Sequence, residues 1–346
     1  MFKRCQKNPI IRPADVRPSA EGYQVVGAFN PGATLFNNEV ILLLRVAESC
    51  VQEQGKIRIP VYRFSEGRGI PEIKEFDAHD PDVSLKDTRG VFYRGKDYLS
   101  SISHLRLARS VDGINFTVDP TPFIYPCSPV EAYGTEDARI VSIDGTFYIN
   151  YTIVSTDSWC TALASTNDFK KLKKLGIIFH PENKDVSIFP QKINNKYIAL
   201  HRPNNSGFGK ASIWYAESPD LLHWGNHKCI ARPRHTAYES MKIGSGSAPI
   251  KTDEGWLCIY HAKGDNSRYS LFGMVLDLEQ PWKVVKRSTM PLFEPELEYE
   301  TTGFFGNVVF TNGIVIKDGQ LFMYYGSSDE TTCLAVSSVE QILCSL

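Results

Sequence analysis

Residues 133–152 read Tyr133-Gly-Thr-Glu136-Asp137-Ala-Arg-Ile-Val-Ser-Ile-Asp144-Gly145-Thr-Phe147-Tyr-Ile149-Asn-Tyr151-Thr152. Adjacent carboxylates on a loop, Glu136 and Asp137, lead into an alternating strand. Asp144-Gly145 supplies a turn, and Phe147, Ile149 and Tyr151 alternate on the return. The pattern is a β-hairpin with an acidic tip at its start.

The same grammar recurs outward from this hairpin. Paired strands are expected at Pro31–Asn38 with Glu39–Val46, Ala138–Asp144 with Thr146–Thr152, and Val186–Asn194 with Lys196–Pro203. Two more pairs are Ser247–Glu254 with Trp256–Ala262 and Val308–Asp318 with Gln320–Gly326. Third segments follow at His104–Ser110, Thr161–Thr166, Ser212–Ser218, Tyr269–Asp277 and Cys333–Ser338. A repeat of roughly 50 to 65 residues holding three or four strands reads as an all-β, five-bladed β-propeller, because one such unit cannot bury both its faces alone. An ordinary meander sandwich is the competing architecture.

Composition agrees with a single domain over residues 1–346, aromatic-rich at 12 % and with helical period confined to Phe169–Leu175 and Ser338–Leu343. Residues 1–29 form an N-terminal arm along an outer blade edge, and an insertion at about 50–98 interrupts the repeat near the channel mouth. The acids from Asp77 to Asp82 within it match no calcium spacing and read as solvated. A net charge of −1 gives no pull toward nucleic acid or anionic membrane. The eight cysteines show no metal spacing and are expected as free thiols. Residues 1–9 carry no apolar leader and the longest apolar run, Val40–Leu44, is too short to span a bilayer, so a soluble cytoplasmic protein is expected.

Equivalent ends of successive blades converge on one mouth of a propeller. In that alignment Asp137 of the second unit meets Lys184 and Arg202 of the third and Lys242 and His261 of the fourth. One carboxyl facing several cations suits a reaction with a proton donor on one side and an anion on the other; Arg and Lys can grip phosphate oxygens, and Gly244-Ser-Gly246 offers close backbone approach. Arg45, on an otherwise apolar strand, demands a partner, either a structural ion pair or a ligand. No metal or organic cofactor is implied.

The Gly134-Thr-Glu-Asp-Ala-Arg-Ile140 run resembles the G-x-E-D-x-R signature of glycoside hydrolase family 130, the mannoside phosphorylases and related mannosidases. Asn183-Lys-Asp-Val-Ser-Ile-Phe-Pro-Gln, His201-Arg-Pro, Lys242-Ile-Gly, Tyr260-His261, Gly303-Phe-Phe-Gly-Asn307 and Tyr324-Tyr-Gly-Ser-Ser-Asp329 are similar to further family motifs, so the likeness runs from Asn8 to Asp329. It implies a five-bladed propeller with Asp137 as proton donor, acting through the 3-hydroxyl of the bound mannose. It also implies a substrate set of Asn30, Arg45, Glu136, Asn307 and Asp329, and a phosphate set of Lys184, Arg202, Lys242, His261 and Tyr269. Lys184 stands where Arg is expected, and Tyr238-Glu239-Ser where many phosphorylases have Trp-Asp-Ser. Inverting phosphorolysis needs only an acid, whereas inverting hydrolysis adds a carboxylate base; Glu239 and Glu300 are the candidates for it. The mostly intact basic cluster favours a phosphorylase giving α-mannose 1-phosphate, with inorganic phosphate as co-substrate. Ser100–Gly113 and Tyr299–Asn307 look closest to members acting on β-1,2-linked mannobiose and oligomannosides. A non-catalytic carbohydrate-binding propeller and a furanosidase-type propeller remain open, as does a homo-oligomer.

Overall fold

The computed structural model describes residues 1–87, 90–204, 207–265 and 267–346. Alternation dictates the hairpin at its centre: strand Gly134–Ile143 pairs antiparallel with Thr146–Val154 across Asp144-Gly145, both at positive φ. Strands Trp159–Thr166 and Lys173–Phe179 continue the meander outward. Among the described residues this order recurs five times. The first sheet runs Tyr23–Phe36, Glu39–Cys50, Ser101–Ser110 and Thr117–Val118. The third runs Asn183–Ile188, Tyr197–Pro203, Ile213–Ser218 and Gly225–Ala231. The fourth splits its first strand into Lys242–Ser245 and Ile250–Thr252, followed by Gly255–Lys263, Tyr269–Leu276 and Val284–Arg287. The fifth runs Val309–Lys317, Gln320–Ser327 and Thr331–Ser337, and its outer strand is Lys3–Arg4 from the other end of the chain.

Each sheet buries one face against the sheet before it and the other against the sheet after it. The apolar run Val40–Leu44 shows why: Ile41 and Leu43 pack with Ile140 and Ile149 of the second sheet, while Val40, Leu42 and Leu44 pack with Val315 and Leu334 of the fifth. A strand buried on both faces reads as continuously apolar. Further clusters join second to third, third to fourth and fourth to fifth sheets, so the contacts run in a closed cycle. Each fully buried Leu or Ile contributes roughly 1.5–3 kcal/mol, and removing one sheet would expose apolar faces on both its neighbours.

Some expectations shift. Strand Tyr23–Phe36 begins inside residues 1–29. The insertion is β-structured, with a hairpin of Lys56–Ser65 and Arg68–Asp77 and a small sheet of Val83–Asp87, Gly90–Tyr93 and Lys96–Leu99. Val339–Leu343 is helical, but Lys173–Phe179 is strand because Leu163, Ile178 and Phe179 pack into the interface between the second and third sheets. The cysteines are free, with Cys50, Cys160, Cys258 and Cys333 buried.

Candidate active site

Innermost strands of the first three sheets each carry a register shift, at Phe29/Gly32, Glu136/Arg139 and Lys184/Ser187. At these bulges Asn30, Asp137 and Asp185 adopt φ of 47°, 49° and 54°. Asn and Asp tolerate this left-handed region better than other side chains, and a bulge re-aims the residue it carries. Glu136 and Asp137 therefore lie within a bulged strand rather than on a loop ahead of it.

The Asp137 carboxylate is buried, and its Oδ1 accepts from Asn30 Nδ2 at 3.0 Å and from an Arg45 guanidinium nitrogen at 3.3 Å. Arg45 also donates to Glu136 at 2.7 Å and to the Ser103 hydroxyl at 3.2 Å, spanning the first and second sheets. Burial alone would raise the Asp137 carboxyl, but Arg45, Lys184 and Arg139, with the Asn30 hydrogen bond, outweigh it and hold it below the usual carboxylate range. Asp329, at φ 53° on the turn after Ser327, behaves oppositely. Burial, reinforced by Asp137 and Glu136 against the pull of Arg45, raises it to about 6. Gly326 has to be glycine, since a Cβ there would collide with the Asn30 side chain.

A cationic group adjoins these acids, organised by a residue that sequence reasoning missed. Asp185 is buried; Oδ2 lies 2.7 Å from Arg202 and 3.1 Å from His261 Nε2, and Oδ1 3.2 Å from Arg139. Arg139 in turn donates to the Asp137 backbone carbonyl and to those of Ser245 and Gly246, tying the second sheet to the third and fourth. Burial works against ionising Asp185, but Arg202, His261 and Arg139 hold it well below its ordinary value. Gly244 leaves room for this carboxylate and for the His261 ring, and a Cβ would fill it. Gly244, within strand Lys242–Ser245, thus accommodates protein side chains, and Gly246 sits against the Ile259 and Thr311 carbonyls, so neither stands free for a phosphate.

Burial lowers His261 to about 4 despite Asp185, so at neutral pH it is a neutral hydrogen-bond donor rather than a charge. Its Nδ1 and Arg202 Nε are buried without a hydrogen-bond partner. Lys242 is lowered to about 8 by burial and by Arg202 and Lys184 nearby. Its Nζ sits 5.2 Å from the Tyr269 ring centre, and Lys263 Nζ 5.5 Å from the same ring. Lys184 pairs across the strands with Arg202, and its charge reaches Asp137, Asp329 and Lys242 alike. Asn307, half-buried, accepts the Tyr269 N–H through its carbonyl at 3.0 Å. The candidate donor and cations therefore share one place, with Lys184 and the Arg139–Asp185 pair between them.

Both candidate bases lie elsewhere. Glu239 is fully buried against Arg234, Arg287 and the Tyr260 hydroxyl. Glu300 is fully buried against Arg4, the Tyr325 hydroxyl and the N–H groups of Glu296 and Leu297. Glu300 accepts from five structural donors and Glu239 from three, two of them from arginines, and neither side chain reaches solvent. Arg45, left open between ion pair and ligand, makes ion pairs with Glu136 and Asp137.

Comparison with known proteins agrees with this chemistry. The glycoside hydrolase family 130 model, described as beta-1,4-mannooligosaccharide phosphorylase, matches residues 78–346. The chain belongs to glycoside hydrolase family 130, and it is a glycoside phosphorylase of that family. It is 43 % identical over 345 residues to a beta-1,2-mannobiose phosphorylase of Listeria innocua serovar 6a, covering 98 % of this chain and 97 % of that one. A 1,2-beta-oligomannan phosphorylase of a Thermoanaerobacter species is 40 % identical over 73 % of this chain and 86 % of its own. Superposition on the Listeria innocua beta-1,2-mannobiose phosphorylase solved with beta-1,2-mannobiose gives a TM-score of 0.93 at 42 % identity, over 100 % of this chain and 99 % of that one. A family-43 glycoside hydrolase, 13 % identical with a TM-score of 0.59, shares the fold.

Proposed function

We propose that this chain carries out inverting phosphorolysis of β-1,2-linked mannobiose and mannooligosaccharides on a five-bladed β-propeller, giving α-mannose 1-phosphate and a mannoside shortened by one residue. The observation that carries the reading is that Arg139, bonded to the Asp137 backbone carbonyl and to Asp185, ties the strand bearing the buried acid to Arg202 and His261, with the Lys184 charge felt by both Asp137 and Lys242. The sequential cycle of sheet contacts supports the propeller.

The mannose ring would rest against Asn30, Arg45, Glu136, Asn307 and Asp329. Phosphate would be gripped by Lys184, Arg202 and Lys242, with His261 Nε2 held by Asp185 and Tyr269 flanking. One phosphate oxygen attacks C1 from the face opposite the scissile bond. The C1–O bond breaks as the C1–O–P bond forms, and the departing oxygen takes the Asp137 proton through the sugar 3-hydroxyl.

In the free protein the surrounding cations keep Asp137 ionised. A phosphate dianion seated on Lys184 and Lys242 offsets them and raises the carboxyl toward protonation, so the acid is loaded in the ternary complex. Hydrolysis would need a carboxylate base, and Glu239 and Glu300 are consumed by arginines.

The small sheets of the insertion adjoin the mouth through Tyr133, three residues before Glu136, whose hydroxyl donates to the Asp97 carbonyl, which fits a cover over the substrate. Residues 1–346 form one unit in this reading. No helix among the described residues is long and apolar enough to cross a membrane, and a cytoplasmic site of action fits the intracellular supply of phosphate.

The test is incubation with β-1,2-mannobiose with and without phosphate. Phosphate-dependent mannose 1-phosphate is expected; mannose released equally without phosphate would overturn the reading.

A further inference from the structure

A large cleft lies on the far face of the strand that carries Arg202. Side chains alternate along a strand, so Arg202 reaches Asp185 while His201, one residue back, stacks on Phe179 of the second sheet at 4.6 Å and 20°. Phe179 stacks in turn on Trp224 at 5.4 Å and 28°, and Trp214 lies across the strands from His201. These rings floor a cleft of about 1190 Å³ between the second and third sheets, which contains none of the proposed acid or phosphate ligands.

The lining has an unusual composition. Five of the chain's eight histidines line it, namely His180, His201, His223, His227 and His235, together with both tryptophans of the third sheet. His201 is fixed by contacts of 2.9 Å to the Asn183 amide and 3.1 Å to His227, and burial lowers it to about 3, so the floor is rigid and uncharged. Glu182, Lys210 and Arg232 at the rim sum to a single positive charge. A rigid, uncharged floor of rings with a hydrogen-bonding rim suits a ligand that is neutral, hydroxyl-rich and flat-faced. The volume exceeds the roughly 300–1,000 Å³ usual for small-ligand pockets, enough for a chain rather than one ring. Pro203 and Asn204 at the rim follow Arg202 directly, so a chain held there lies beside the mouth of the reaction site.

We infer that this cleft is a non-catalytic docking site for a neutral oligosaccharide, and, resting on the function proposed above, for the β-1,2-mannan chain whose end is being phosphorolysed. A chain anchored there has its free end held near the reaction site, so long substrates gain over mannobiose.

Titration calorimetry of the wild type with β-1,2-mannopentaose in the absence of phosphate is expected to give two sites per chain, falling to one in Trp214→Ala. The same substitution raises KM for the pentaose about fivefold or more and leaves mannobiose turnover within about twofold. Phe208→Ser, at a rim position 84 % exposed, provides a second variant with no demand on the core and is expected to move the same ratio. An unchanged ratio of pentaose to mannobiose KM in both variants, or a single pentaose site in the wild type, overturns the inference. So does a loss of self-association in Trp214→Ala with no change in chain-length preference, which would assign the cleft to a second copy of the chain. Because the calorimetry needs no turnover, a wild type that fails to phosphorolyse mannobiose defeats the proposed reaction without deciding the docking site.

Discussion

Replacing Asp185 by Asn removes one negative charge from between Arg139, Arg202 and His261 while nearly preserving shape. Counting charge alone, the cluster becomes more positive and phosphate should bind more tightly. The geometry gives the opposite sign. Asp185 Oδ2 fixes Arg202 at 2.7 Å and receives the His261 Nε2 proton at 3.1 Å, so the variant frees both donors from their orientation. A hydrogen bond to a charged group is worth about 1.5–3 kcal/mol, so KM for phosphate is expected to rise roughly 10- to 150-fold. KM for mannobiose should stay within about twofold, since Asn30, Arg45 and Asp329 are untouched. Breaking a buried ion pair by removing one partner also costs about 3–5 kcal/mol of stability. Asp185 is depressed in the folded state, so its contribution is complete above about pH 4 and is lost as pH falls below that, closing the gap between wild type and variant. Initial-rate kinetics in both substrates, with thermal melts from pH 7 to pH 2.5, read all three quantities. A phosphate KM that falls or stays constant would refute the positioning argument even if the protein melts earlier.

Other substitutions separate the remaining roles. Asp137→Asn is expected to cut kcat by about 10²–10⁴-fold or more while the protein stays folded; full activity would remove it as the acid. Because Lys242 lies at about 8, phosphate KM should climb as pH rises through that value and the lysine loses its charge. Lys242→Arg should push this alkaline limb upward, and a pH profile unmoved by that change would count against a phosphate contact. Glu239→Gln and Glu300→Gln should each lower stability by about 3–5 kcal/mol yet retain phosphorolysis per folded molecule. Loss of turnover without loss of stability in either would restore that glutamate as a catalytic base.

Much of the architecture is legible in the chain because each hairpin announces itself locally. Asp144-Gly145 and the alternation around it suffice for the second sheet, and the unbroken run Val40–Leu44 marks a strand covered on both sides. The convergence of Asp137 with Lys184, Arg202, Lys242 and His261 is readable by counting blade positions. Asp185 is not readable in that way, because a carboxylate inside Lys-Asp-Val-Ser has the look of a surface charge. The one signal was its register with Asn30 and Asp137, three residues at equivalent bulges, and it gains meaning only once Gly244 is seen to make room opposite. Glu239 misled for the complementary reason: its arginine partners Arg234 and Arg287 sit 5 and 48 residues away, on neighbouring turns and strands whose contact no local pattern announces. The aromatic cleft was invisible because its rings come from two different sheets.

The outermost strand of the fifth sheet is Lys3–Arg4, and Arg4 reaches beyond it to Glu300 and lies over the Phe293 ring. Lys3 and Arg4 precede their partners Val336 and Ala335 by more than three hundred residues, so the edge of this sheet closes only after the intervening chain has been made. Translation runs at about 5–20 residues per second, which leaves Lys3 and Arg4 without these partners for tens of seconds. Removing Lys3 and Arg4 should therefore act like an unfastened clasp, loosening the whole circle rather than fraying one edge.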